Sequence, residues 1–325
     1  MARPSLLWLF PDQFEKIDGV ADILTSFAEV DVRDIERPEI MECLGDYEIL
    51  IPQLRHEINR EVIDCGKRLR MIATPSTGTD HIDVKYMAQR GLELVCIKED
   101  REFLDRVQST AELAWLLILA ANRNLRAATR HIEGGQWQAM AVRGHELIDR
   151  TLGIIGYGRL GTMVSRFAHA TRMNVVATDP QPIQDEWVTQ LPLDQLLAQS
   201  DIITIHVHLM DETRGMIGRD QISKMKKGAF LVNTSRGGLL DVAALIAALR
   251  DGHLAGAGLD VIQGERDPNR NDRPLMHYFR ENDNLILTPH YGGATFESQA
   301  KAFVLTANKI KESGRRSRQV IVYGF

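Results

Sequence analysis

The stretch TLGIIGYGRLG, residues 151–161, decides how this chain folds. An apolar run suited to a buried strand leads directly into Gly156, Gly158 and Gly161 at the spacing G-x-G-x-x-G, and a helical pattern follows from Arg159 to Ala170. The first glycine permits a tight turn, the second lets backbone approach a pyrophosphate, and the third lets the helix pack on the strand. The unpaired N–H groups of the helix N-terminus then face the phosphates. The next apolar run, MNVVATD at 173–179, ends in Asp179, about 20 residues on, where a carboxylate accepts hydrogen bonds from the adenosine ribose. No arginine lies between Asp179 and Glu186 to neutralise a 2′-phosphate, so NAD is expected rather than NADP. Glycines alone, or Asp179–Pro180 alone, would read as ordinary turns. Strand, glycines, helix, strand and acid in this order give the motif its meaning.

Further along, apolar runs continue to alternate with helix-compatible segments: DIITIHVHL at 201–209, AFLVNTS at 229–235, AGAGLDVI at 255–262 and NLILTPH at 284–290. Before the motif, TAELAWLLILAANRNLRAATRHIEGG reads as one long helix closed by Gly134–Gly135. A separate series fills the start of the chain: LLWLF at 6–10, EVDVR at 29–33, YEILIP at 47–52, RLRMIAT at 68–74 and LELVCI at 92–97. Parallel neighbours require a crossover, so each series predicts a doubly wound parallel sheet. At 325 residues the chain exceeds one usual core, and the charged stretch KEDREFLDR at 98–106 marks the expected boundary. The expected fold class is α/β, a Rossmann cofactor domain at 105–295 inserted in a smaller flavodoxin-like substrate domain made of 1–104 plus 296–325. From Phe296 onward the chain reads as a helix that packs back on the first domain, then a strand-like VIVYGF.

Composition narrows the class of function. The hydrophobic fraction of 44%, the charged fraction of 26% and the net charge of -5 describe a soluble protein without the basic field that attracts nucleic acid or acidic membranes. The longest apolar stretch, Ala111 to Ala121, contains Glu112 and is well short of the roughly 18–20 residues that cross a bilayer. Cys43, Cys65 and Cys96 lie far apart and form no C-x-x-C pair, which fits a reduced, cytoplasmic compartment. His206 and His208 alternate on one strand face, but no third ligand is spaced to join them, and no metal is expected.

Three polar residues stand just past strand ends in the second series, where doubly wound folds bind ligands. Arg236 precedes Gly237–Gly238, and its planar fork suits a 2-keto carboxylate; the alternative is a surface arginine paired with Asp241. Glu265 follows AGAGLDVI, and read alone is one more charge in a polar loop. His290 closes NLILTPH ahead of the YGG segment, whose Gly292 would let backbone come close to nicotinamide; read alone, it caps a strand. Chemistry gives the three a reason to be together. Oxidising a hydroxy acid at C2 requires the hydroxyl proton to be taken up, which histidine does near neutrality. A carboxylate on its far nitrogen fixes the tautomer and favours the imidazolium. Lys98, Arg101 and Arg106 are read as a solvated face, with a grip on a second substrate anion as the alternative.

With these residues on the page, LVNTSRGGLLD at 231–241, GLDVIQGE at 258–265 and TPHYGG at 288–293 resemble the D-isomer-specific 2-hydroxyacid dehydrogenase family. The resemblance extends to STGTDHID at 76–83, TAELAW at 110–115, GYGRLG at 156–161 and HVHLMDETRGMIG at 206–218. It implies a small 2-hydroxy or 2-keto acid substrate, with Arg236, Glu265 and His290 as the catalytic trio. It implies substrate contacts around Thr77 and Gly78. It implies cofactor contacts from Thr110, Arg159, Leu160, Asp179 and His206, and likewise from Thr213, Thr234 and Asp260, the last placed for the nicotinamide carboxamide. A homodimer built through the cofactor domain is implied as well. The chain departs from the family pattern at the charged KEDREFLDRVQ, at His208 and at Arg266, where relatives carry an asparagine with a Pro-Gly loop, a proline and a proline. These changes are expected to reshape loops without removing the chemistry. Two other readings stay open: an NADH-sensing co-repressor, separable by turnover, and a dehydrogenase of another small anion such as formate or phosphite.

Overall fold

A computed structural model describes residues 3–267 and 269–315. Described residues up to Val107 and from Thr295 form one compact unit, and Gln108–Ala294 form another. The expected strand-like VIVYGF lies outside the described residues.

In the first unit, β1 (Ser5–Trp8), β2 (Glu29–Val32), β3 (Ile49–Ile51), β4 (Met71–Ala73) and β5 (Glu93–Val95) form a parallel sheet in the order β2-β1-β3-β4-β5. This is the flavodoxin-like order. Both faces are covered, which is why β3 and β4 are buried at every position and read as unbroken apolar runs. The helix Phe296–Arg315 completes this core: Phe303, Ala307 and Ile310 pack among Trp8, Leu24 and Ile51, with Phe303 rings 5.7 Å from Trp8 and 4.9 Å from Phe10. Lys309 ties it to the sheet side by donating to the Cys96 carbonyl and to Asp100.

In the second unit the described strands are β6 (Thr151–Ile155), β7 (Asn174–Thr178), β8 (Val188–Gln190), β9 (Ile202–Ile205), β10 (Ala229–Asn233), β11 (Leu254–Leu259) and β12 (Leu285–Leu287). Their order is β12-β11-β10-β9-β6-β7-β8, all parallel. Counted from β6 this is the Rossmann order 3-2-1-4-5-6 with one strand added, and its switch point falls between β6 and β9. The helix Ser109–Asn122 covers β10 and β11, with Ala111, Leu117 and Ile118 buried against Phe230 and Val232.

Two local expectations need correction. The single long helix is two, Ser109–Asn122 and Leu125–Glu133, because Asn124 turns left-handed (φ 51°) and donates its side-chain amide to the Arg143 carbonyl. Asparagine tolerates that region better than most residues, so neither glycine nor proline marks the break. The edge strand β8 was not expected: of its three residues only Val188 is buried, too short a pattern to register as alternation.

Candidate active site

The switch point builds the first half of the site. Gly156 follows β6 in the left-handed region (φ 92°) and donates to the Thr178 carbonyl at the end of β7. A Cβ there would lie 2.7 Å from the His206 carbonyl oxygen, so the loop crosses β9 at a distance only glycine allows. A Cβ on Gly161 would sit 2.2 Å from the Gly156 carbonyl oxygen, which is how the helix Arg159–Ala170 seats on its strand. Gly158 differs. Among the described residues, chain neighbours and its own helix aside, nothing lies within 4 Å of the Cβ it lacks, so the space beside it is open. Gly158 is also the helix N-cap and has no side chain to cap it, leaving the first-turn N–H groups for an anion. Arg159 and Leu160 are half-buried in that first turn, Leu160 leaning on the core.

Asp179 stands one residue past β7. One carboxylate oxygen accepts the Tyr157 N–H at 2.8 Å and the other accepts the Gln181 N–H at 2.9 Å, so the acid is locked to the glycine loop. Tyr157 also donates its hydroxyl to Asp185 at 2.6 Å. Burial, then Asp185 as acceptor, pushes that phenol up to about 12.

The second half of the site stands at the ends of β10, β11 and β12. Asn233, Leu259 and Leu287 are register partners across these strands, so Arg236, Asp260 and His290 leave the sheet from one edge. A Cβ on Gly237 would lie 2.1 Å from the Ile262 carbonyl carbon, which brings the Arg236 loop against the one carrying Glu265. Arg236 is half-buried and donates to the Ser235 carbonyl, while its own carbonyl accepts from the Asn233 amide. Asp241, its proposed alternative partner, caps the helix Val242–Arg250 by accepting from Ala243 and Ala244 N–H.

His290 Nδ1 lies 2.7 Å from Glu265 Oε1, with side chains 29% and 27% exposed. A carboxylate accepts only, so with Glu265 as carboxylate Nδ1 carries the hydrogen of this bond and Nε2 lies on the other side of the ring. Unusually for a non-glycine residue, His290 has φ 53°. Asp260 holds it there. The Asp260 carbonyl accepts the His290 N–H, and its 2% exposed carboxylate accepts from the Thr288 hydroxyl at 2.6 Å and from the Tyr291 and Gly292 N–H groups at 3.0 Å. The polar loop behind Glu265 is closed by Arg273, which donates to the Gln263 carbonyl and pairs with Asp267, holding the Asp267 carboxyl below its usual range.

The remaining residues named from sequence are distributed unevenly. Thr110, in the first turn of Ser109–Asn122, and Gly292 lie side by side: a Cβ on Gly292 would sit 3.2 Å from Thr110 Cγ2 and from Asp260 Oδ2. Thr234 Oγ1 is buried and has no hydrogen-bond partner among the described residues. The same holds for His206 Nδ1, while His206 Nε2 lies 2.9 Å from Thr204 Oγ1. Burial lowers the His206 pKa to about 4, so the ring is neutral near pH 7. Thr213 is occupied within its own turn, accepting from Met210 N–H and donating to the His208 carbonyl. Thr77 and Gly78 belong to the other unit, in the loop after β4, where Ser76 donates to the Gly78 carbonyl. Arg101 and Arg106 are exposed, Arg106 3.4 Å from Glu102. No group of three metal-ligating side chains occurs among the described residues. Sequence reasoning passed over Thr288, Tyr157, Asp185 and Gln190, whose parts are played through hydrogen bonds to partners distant in sequence.

An uncapped helix N-terminus beside an open glycine, two buried polar atoms awaiting partners and an acid at the β7 end fit a dinucleotide. Residues 115–292 match the family described as D-isomer specific 2-hydroxyacid dehydrogenase, NAD binding domain. A hydroxypyruvate reductase of Thermotoga maritima is 35% identical over 288 residues, 88% of this chain and 91% of the relative. A D-3-phosphoglycerate dehydrogenase of Methanocaldococcus jannaschii is 36% identical over 89% of this chain, which spans 54% of that longer protein. The crystal structure of D-lactate dehydrogenase from Aquifex aeolicus, complexed with NAD and lactic acid, superposes with a TM-score of 0.85 at 27% identity, covering 98% of this chain and 97% of that one. The chain belongs to the D-isomer specific 2-hydroxyacid dehydrogenase family. It is an NAD-dependent oxidoreductase of that family.

Proposed function

We propose that the protein interconverts a small D-2-hydroxy acid and its 2-keto acid, with His290 as acid and base, Glu265 as its partner and Arg236 as the carboxylate and carbonyl ligand. The observation that carries this reading is the 2.7 Å contact between His290 Nδ1 and Glu265 Oε1, which leaves Nε2 for the substrate oxygen. When bound, NAD supplies the hydride acceptor and NADH the donor for C2. In the reducing direction His290 gives its Nε2 proton to the carbonyl oxygen as negative charge develops there, Glu265 stabilises the charged ring before transfer, and Arg236 offsets the oxygen's charge. In the oxidising direction the neutral ring takes the hydroxyl proton.

The cofactor contacts belong to the same proposal: pyrophosphate at Gly158, Arg159 and Leu160, adenosine ribose at Asp179, and nicotinamide near Thr110, Thr234, Asp260 and Gly292. His206 and Thr213 support it from the β9 loop, and Thr77 and Gly78 are proposed substrate contacts. The names of the relatives favour two- and three-carbon keto acids. Exposed Ile132, Trp137 and Met140, 50%, 88% and 69% accessible, support a homodimer through the cofactor unit. Free Cys43, Cys65 and Cys96 fit the cytoplasm, and no helix among the described residues is long and apolar enough to cross a membrane.

The test is NADH oxidation against glyoxylate, pyruvate, hydroxypyruvate, phosphohydroxypyruvate and branched 2-keto acids. Turnover with at least one, giving the D-hydroxy acid where the product is chiral, supports the proposal. Tight NADH binding with no turnover on any of them contradicts it and favours a sensor.

A further inference from the structure

The acid at the end of β7 is held by a residue on the strand that sequence patterning did not reveal. Gln190 closes β8 opposite Ala177, two residues before Asp179, so its side chain rises on the same face of the sheet. Its amide nitrogen donates to the Asp179 carbonyl at 2.9 Å and to the Gln181 carbonyl at 3.0 Å, and its amide oxygen accepts the Ile183 N–H at 2.9 Å. One side chain thus pins three backbone groups of the 179–183 turn. Below it, Tyr157 fixes the far end of the same segment through Asp185. The run Asp179 to Gln190 contains three carboxylates, Asp179, Asp185 and Glu186, and no lysine or arginine.

We propose that Gln190 is a positioning residue for cofactor choice: by clamping the 179–183 turn it holds the Asp179 carboxylate where a ribose 2′-hydroxyl can donate to it and a 2′-phosphate meets fixed negative charge. A mobile carboxylate could swing away from a phosphate at little cost, so rejection of NADPH depends on the clamp as much as on the acid. The inference rests on the ribose placement proposed above. The side-chain hydrogen bonds of Gln190 go to the backbone of Asp179, Gln181 and Ile183, so its removal acts first on the turn.

The experiment measures dissociation constants of NADH and NADPH by calorimetry for the intact protein and for Gln190→Ala, Gln190→Glu and Asp179→Ala, with Tm as a control for folding. Gln190→Ala is expected to weaken NADH about tenfold while NADPH changes little or tightens, so the selectivity ratio falls at nearly constant Tm. Gln190→Glu keeps the acceptor for Ile183 N–H but loses both donors and adds a charge beside the Asp179 carbonyl. It should weaken NADH like the alanine variant yet keep NADPH excluded. Equal weakening of both cofactors by Gln190→Ala, or no change, overturns the inference, provided Asp179→Ala collapses the ratio. If Asp179→Ala also leaves the ratio intact, the ribose placement itself is wrong.

Discussion

The main-chain N–H of His290 donates to the carbonyl of Asp260 over 2.8 Å, and through this bond a buried acid sets the backbone of the residue proposed to face the substrate. The left-handed conformation of His290 costs free energy on its own, about 1–3 kcal/mol for a non-glycine residue, and persists because the next two N–H groups are also held by Asp260. In this conformation the ring is placed so that Nδ1 meets Glu265.

Asp260→Asn tests that coupling. The amide has one acceptor oxygen where the carboxylate has two, so a donor is turned toward Thr288, Tyr291 or Gly292. Stability should fall by about 1–3 kcal/mol and kcat by tenfold or more, read from urea unfolding and steady-state rates. A variant that keeps both would show that the 288–292 turn holds itself.

Gly158 and Gly161 separate a cofactor requirement from a folding one. Gly161→Ala places a Cβ 2.2 Å from a carbonyl oxygen and should destabilise the second unit by about 1–3 kcal/mol, with NADH binding lost as well. Gly158→Ala meets open space at an ordinary negative φ, so its Tm should match the parent while its NADH affinity drops. Undiminished NADH binding by Gly158→Ala, followed by fluorescence, would mean that the pyrophosphate does not approach this backbone.

His206 predicts a pH dependence of stability. Burial lowers its folded pKa to about 4 from an ordinary 6.5, so between those values the unfolded chain takes up a proton that the folded chain refuses. Stability contributed by the neutral ring is present above pH 6.5 and is lost as pH falls toward 4. The urea midpoint of His206→Gln should therefore fall less steeply over this window than that of the parent. Parallel curves would place the ring in contact with water.

The sequence made legible whatever is written locally. The glycine loop, its strand and the helix Arg159–Ala170 are contiguous, and the buried runs of β9 and β10 follow from a sheet covered on both faces. Arg236, Glu265 and His290 could be singled out because each follows a strand of the second series, and the structure brings His290 and Glu265 to 2.7 Å. What stayed hidden depends on distant partners. Gln190 reads as an exposed polar residue and is one, and only the fold brings Asp179 and Ile183 to its amide; Thr288 reads as the start of a turn until Asp260 accepts its hydroxyl. Asn124 breaks a helix whose apolar pattern runs on without interruption.

His290 is proposed to move the substrate proton while the nucleotide is bound elsewhere in the site. Turnover of His290→Ala on the best keto acid, measured beside its dissociation constant for NADH, separates the two roles. A fall in kcat/KM of at least about a hundredfold is expected, with NADH affinity within about twofold of the parent. Near-parental turnover would contradict it.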